Sequence, residues 1–108
     1  MREDSMVMSD DISNEFSQRR LDEMDLSIAR IDRCIIALLA ARFAVTHDVG
    51  ILKAENSLPS VDPAREAEKL QHVAELAKAS GGDPKATALF FRLLMDEVVV
   101  RHNVKLNE

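Results

Sequence analysis

Leu21, Met24, Ile28, Ile31, Ile35 and Leu38 stand alternately three and four residues apart, and Val45, Val49 and Leu52 continue the rhythm. This is the a/d seam of a helix that buries one stripe, and it extends over more than four heptads. From about Ser17 to Glu55 there is no proline, and Gly50 is the sole glycine. The pattern predicts one helix of about 36 residues, about 54 Å long at ~1.5 Å per residue. A domain of about 100 residues spans only about 26 Å, taken as twice its radius of gyration. Two shorter helices of the same chain leave much of such a rod uncovered. A second copy covers it, so the seam predicts an intertwined homodimer with two-fold symmetry.

Around this helix the pattern changes. Residues 1–16 show no steady period and many acids, which predicts a flexible N-terminal segment ahead of a helical domain over 17–108. Asn56 to Pro63 reads as a loop. Asp62 followed by Pro63 is a helix start, a carboxylate N-cap before proline at the first helical position. The second helix carries Leu70, Val73, Leu76 and Ala77 on one stripe and ends at Ser80-Gly81-Gly82. Asp83-Pro84 repeats the start signal. The third helix aligns Phe91, Met95, Val98 and His102. The expected class is all-α: a three-helix chain with a long first helix.

Composition supports this class. Three Gly, three Pro, four Phe and no Trp or Tyr among 108 residues leave little material for a β-sandwich or barrel. A net charge of −5 argues against a general nucleic-acid binder, so an anionic ligand has to be met by a local cluster of cations. One cysteine, Cys34, excludes an intrachain disulfide framework and reads as a core or near-core residue. Charges interrupt every long apolar run, so no membrane span is expected. Residues 1–16 lack the pattern of a signal peptide, which makes the cytoplasm the expected location.

Candidate chemistry lies where the pattern breaks. Arg42 falls on the seam, four residues after Leu38 and three before Val45. A guanidinium there is costly unless an anion meets it, either an internal carboxylate or a ligand. Lys53 lies eleven residues on, and eleven steps of ~100° return to within about 20° of Arg42. It reads as a solvated lysine near a helix end or as the far wall of an anion pocket. Arg65 and Glu66 open the second helix; the helix dipole favours the acid there and disfavours the arginine. Asp62 is explained as the N-cap. His102 extends an apolar stripe, as core or boundary histidines do. His47 and Asp48 are adjacent and diverge, and His72 stands alone, so no metal site and no cofactor are expected. Neither an activated nucleophile nor a phosphate loop is evident.

Three blocks resemble the all-helical chorismate mutases: Ile31-Asp32 with Ala37-Leu38-Leu39-Ala40-Ala41-Arg42; Val49-Gly50-Ile51-Leu52-Lys53-Ala54; and Leu58-Pro59 with Asp62-Pro63-Ala64-Arg65-Glu66. The similarity runs from about Leu21 to Asn103, and the order and spacing of the blocks are specific together. It implies an interlocked dimer of three-helix chains. It also implies an isomerase that rearranges chorismate to prephenate on the shikimate pathway to phenylalanine and tyrosine. The reaction is an intramolecular Claisen rearrangement of a dianion, in which the protein holds the reactive conformer and stabilises charge on the ether oxygen. By resemblance, Arg42 and Arg65 bind carboxylates, and Lys53 bridges a carboxylate and the ether oxygen. Glu66 holds the substrate hydroxyl, with Asp62 nearby. His102 falls where many members carry a Gln that donates to the ether oxygen; if its protonated form matters, activity rises toward lower pH.

Two positions depart from the family pattern. Many members carry an Arg that crosses into the partner's site; counting back 17 residues from Arg42 places Asp25 there, a charge reversal. Arg20 and Arg30 lie five residues away on either side, about 140° around the helix, and do not substitute for it. Val98 stands where some members have a polar Ser. Weaker substrate binding is expected, or a site completed by a partner enzyme of the shikimate pathway. Two other readings stay open: an isochorismate pyruvate lyase on the same scaffold, and a non-catalytic helical dimer with a regulatory role.

Overall fold

A computed structural model describes the backbone of residues 2–106 and the side chains of residues 10–103. The described residues form three helices and no strand: α1 (Arg2–Glu55), α2 (Pro63–Ala79) and α3 (Pro84–Leu106). The all-α class and the long first helix agree with the sequence pattern. The start of α1 does not. It begins at Arg2 rather than near Ser17. Residues 2–16 contain no Gly or Pro, and nothing in them breaks a helix that propagates back from the seam.

The chain divides into two units, residues 1–41 and residues 42–108. In the first, the seam is uncovered: Leu21, Met24, Ile28, Ile31, Ile35 and Leu38 are between 42% and 69% exposed. Cys34, expected in or near a core, is exposed as well, because it lies on the same uncovered helix. By length and composition, the span Asp10–Glu55 includes a stretch apolar enough to cross a membrane, with a mean hydropathy of 1.7. Arg42 and Asp48 lie within this apolar region, and such a helix also serves where protein covers its apolar face.

The second unit contains the end of α1, all of α2 and all of α3. α1 stops in a Schellman motif: Leu58 N–H donates to the Lys53 carbonyl at 2.8 Å, and Ser57 N–H donates to the Ala54 carbonyl at 3.3 Å. Ser57 takes the left-handed conformation that this turn requires, with φ of 54°. The turn fixes the backbone around Lys53. Both expected caps form: Asp62 Oδ1 accepts from Arg65 N–H at 3.2 Å, and Asp83 Oδ1 accepts from Ala86 N–H at 3.0 Å. Gly81, with φ of 79°, closes α2, and Gly82 N–H returns to the Ala77 carbonyl at 2.7 Å. These short connections fold α3 back against α2. Leu70, Val73, Ala74 and Ala77 of α2 are half-buried with Phe91, Leu94, Val98 and Val99 of α3, and Met95 is buried. Leu76, expected on the inner stripe of α2, is 52% exposed, and Ala74 turns inward in addition to the expected Leu70, Val73 and Ala77.

Candidate active site

Arg42 is where the apolar pattern and the chemistry conflict. It is half-buried, and its guanidinium carbon lies 5.7 Å from the centroid of the Phe91 ring, within cation–π range. Its Nη1 is shielded from solvent and has no hydrogen-bond partner. Of the two alternatives for a seam arginine, the internal carboxylate is absent among the described residues, and the side chain is held by a ring face with one donor left open. A shielded donor of this kind favours an anion strongly.

Arg42 borders a cavity of about 280 Å³. Lys53, in the last turn of α1, borders it too, as expected from its shared face. From α2 and its cap come Asp62, Arg65 and Glu66, and from α3 comes Val98. Six of the seven residues singled out in the sequence thus meet around one space. Val49, Met95 and Val99 supply an apolar wall. Such a wall lowers the local dielectric and strengthens each charge that faces it.

His102 is the exception. It lines an adjoining cavity of about 570 Å³, which shares Thr46, Lys53, Ser60 and Val98 with the first. Its Nε2 lies 3.0 Å from the Thr46 carbonyl oxygen. A carbonyl only accepts, so Nε2 carries the hydrogen and donates it across the α1–α3 gap. The ring rests on Gly50, where a Cβ would come within 2.6 Å of His102 Cδ2. The expectation that His102 donates to a ligand therefore meets a ring already committed to the backbone.

Two further residues belong to this region, and their spacing alone does not single them out. Arg92 of α3 donates through Nη2 to Glu66 Oε2 at 2.8 Å. Its Nε lies 3.4 Å from Asp96 Oδ1, yet it is shielded and makes no hydrogen bond, because proximity there is not matched by direction. The hydrogen bond that Arg92 donates to Glu66 holds the guanidinium above its ordinary pKa against a smaller opposing effect of burial, with the Asp96 charge adding to the rise. Lys69 borders the cavity as well, one turn beyond Arg65. The signal for Arg92 is faint in the sequence, since an Arg four residues before an Asp reads as an ordinary helix-surface pair. Lys69 lies four residues before Val73, on the edge of the inner stripe, which is the trace it leaves.

The cavity thus presents four cations against two carboxylates. Both carboxylates have work: Asp62 caps α2 and Glu66 holds Arg92. What remains is a positive, partly apolar space suited to a small organic anion. A family model described as chorismate mutase type II matches residues 25–103. The chain belongs to the chorismate mutase type II family. It is accordingly an isomerase, and chorismate is the family's substrate. No curated protein matches the chain. The matched span contains all seven residues singled out, together with Lys69 and Arg92, and it opens at Asp25.

Proposed function

We propose that the chain converts chorismate to prephenate in the biosynthesis of phenylalanine and tyrosine, with the cavity beneath Arg42 as its active site. In this rearrangement the ether C–O bond breaks as a C–C bond forms, and no proton changes place. The protein has to hold the reactive conformer and stabilise negative charge on the ether oxygen. The observation that carries the reading is the shielded, unpartnered Nη1 of Arg42 at the edge of a cationic cavity. Arg42 takes one carboxylate and Arg65 the other. Lys53 bridges a carboxylate and the ether oxygen. Glu66, steadied by Arg92, accepts from the substrate hydroxyl. His102, which donates to Thr46, leaves the ether oxygen to Lys53.

The active form is a homodimer in this proposal. Support comes from the seam of α1, whose Leu and Ile side chains are exposed in the single chain. The cytoplasm is the proposed compartment, in keeping with one exposed thiol at Cys34 and the reducing conditions that preserve it.

The test is turnover of chorismate by the purified protein, followed as loss of chorismate absorbance, with prephenate identified by acid conversion to phenylpyruvate. Arg42→Ala removes the central carboxylate donor and is expected to lower kcat/KM by about a hundredfold or more. An Arg42→Ala protein as active as the parent would place the chemistry elsewhere. Pyruvate release from isochorismate in place of prephenate formation would give the scaffold to the lyase reaction.

A further inference from the structure

Three of the four cations around the cavity have roles in the reaction proposed above; Lys69 has none. It stands on α2 four residues after Arg65 and three after Glu66, so all three project to one side of the helix. Among the described residues no carboxylate pairs with Lys69. The two acids on the cavity are engaged elsewhere, Asp62 with Arg65 N–H and Glu66 with Arg92. Arg65 and Lys69 are like charges at i, i+4, an arrangement that repels on a bare helix. Their Cβ atoms are about 5–6 Å apart at that spacing, close enough for both heads to converge on one carboxylate. Val49, Met95 and Val99 give the same cavity an apolar lining.

We infer that Lys69 is a substrate-binding residue, which grips, together with Arg65, the carboxylate of chorismate that Arg42 does not take. The inference rests on the proposed reaction and deepens it. It also gives the site a fourth cation from the chain's own α2, in a protein whose position 25 is an aspartate.

The experiment compares the full-length protein with Lys69→Met and Lys69→Arg. Chorismate kinetics are joined by calorimetric titration with chorismate and by thermal unfolding. Lys69→Met is expected to raise KM and the dissociation constant by about tenfold or more, with kcat changed far less. Its unfolding midpoint should not fall, because the repulsion with Arg65 is relieved. Lys69→Arg should stay close to the parent. A Lys69→Met protein whose KM matches that of an active parent overturns the role of Lys69 alone. So does a weakened Lys69→Met protein whose unfolding midpoint falls in step, since that is a structural defect. A parent protein that neither binds nor turns over chorismate overturns the proposed function and this inference together.

Discussion

Arg42 owes its prominence to a conflict between its position and its charge. A leucine at that point of the seam would pack; the arginine is instead held against Phe91 with Nη1 open. Arg92 has the opposite character. It is 39% exposed along its side chain, yet through Nη2 it fixes Glu66, the acid assigned to the substrate hydroxyl. Arg92→Met removes that donor and leaves the Glu66 carboxylate without its partner. Solvent screens this part-exposed pair, so kcat/KM should fall only by about severalfold. Arg92→Lys should recover part of the loss, because the contact is a single charged hydrogen bond that an ammonium can also donate. Steady-state kinetics on the two variants checks this. Unchanged kinetics in both would make the Arg92–Glu66 pair a surface ornament. Arg42 could be singled out from the sequence because it breaks a period. Arg92 could not, since charged residues on helices are ordinary and only the fold of α3 against α2 brings it to Glu66.

At the scale of the helices, the gap between α1 and α3 is set by a glycine and a histidine. The His102 ring occupies the space that a side chain at position 50 would need, and its Nε2–H closes on the Thr46 carbonyl. In an exposed helix, Gly→Ala stabilises by about 0.5–1 kcal/mol. Here the added Cβ drives the ring from its carbonyl, which costs about 1 kcal/mol for the hydrogen bond and more for packing. Gly50→Ala is therefore expected to lower the unfolding midpoint. The double variant Gly50→Ala with His102→Ala should recover much of that loss, a coupling of about 0.5–3 kcal/mol. Circular dichroism melts of the single and double variants measure it. A higher midpoint for Gly50→Ala alone would show that the ring does not rest on that glycine. The ends of the helices, by contrast, follow from local chemistry. Asp62-Pro63, Asp83-Pro84 and Gly81-Gly82 are start and stop signals that act within a few residues. The left-handed Ser57 at the end of α1 is less legible, because serine does not mark a positive φ as glycine does.

For the molecule as a whole, the single chain is short of a core. Met95 is the one buried apolar residue among the described residues, while Ile31, Leu38, Val45 and Leu52 are between 58% and 69% exposed. Burying a Leu or Ile side chain contributes about 1.5–3 kcal/mol, so a seam of this length is a strong drive to associate. The proposed homodimer should appear by sedimentation or light scattering as a species of roughly 24 kDa, twice the 12.1 kDa chain. Ile31→Glu, a charge in the seam, should shift that mass toward the single chain and weaken cooperative unfolding. A parent protein that stays at the mass of one chain, and melts cooperatively, would refute the dimer.

Local and periodic information sufficed for the helical class, the order of the helices, their caps and the shared face of Arg42 and Lys53. Those features depend on backbone propensity and on spacing along one element, and both are properties of neighbouring residues. The resemblance implied that Asp62, Arg65 and Glu66 share a site with Arg42; tertiary structure alone added Lys69 to that cavity. It also decided that Arg92 holds Glu66 and that His102 turns to Thr46. Each of these depends on the angle and distance at which separate helices pack, and no spacing within a single helix encodes that.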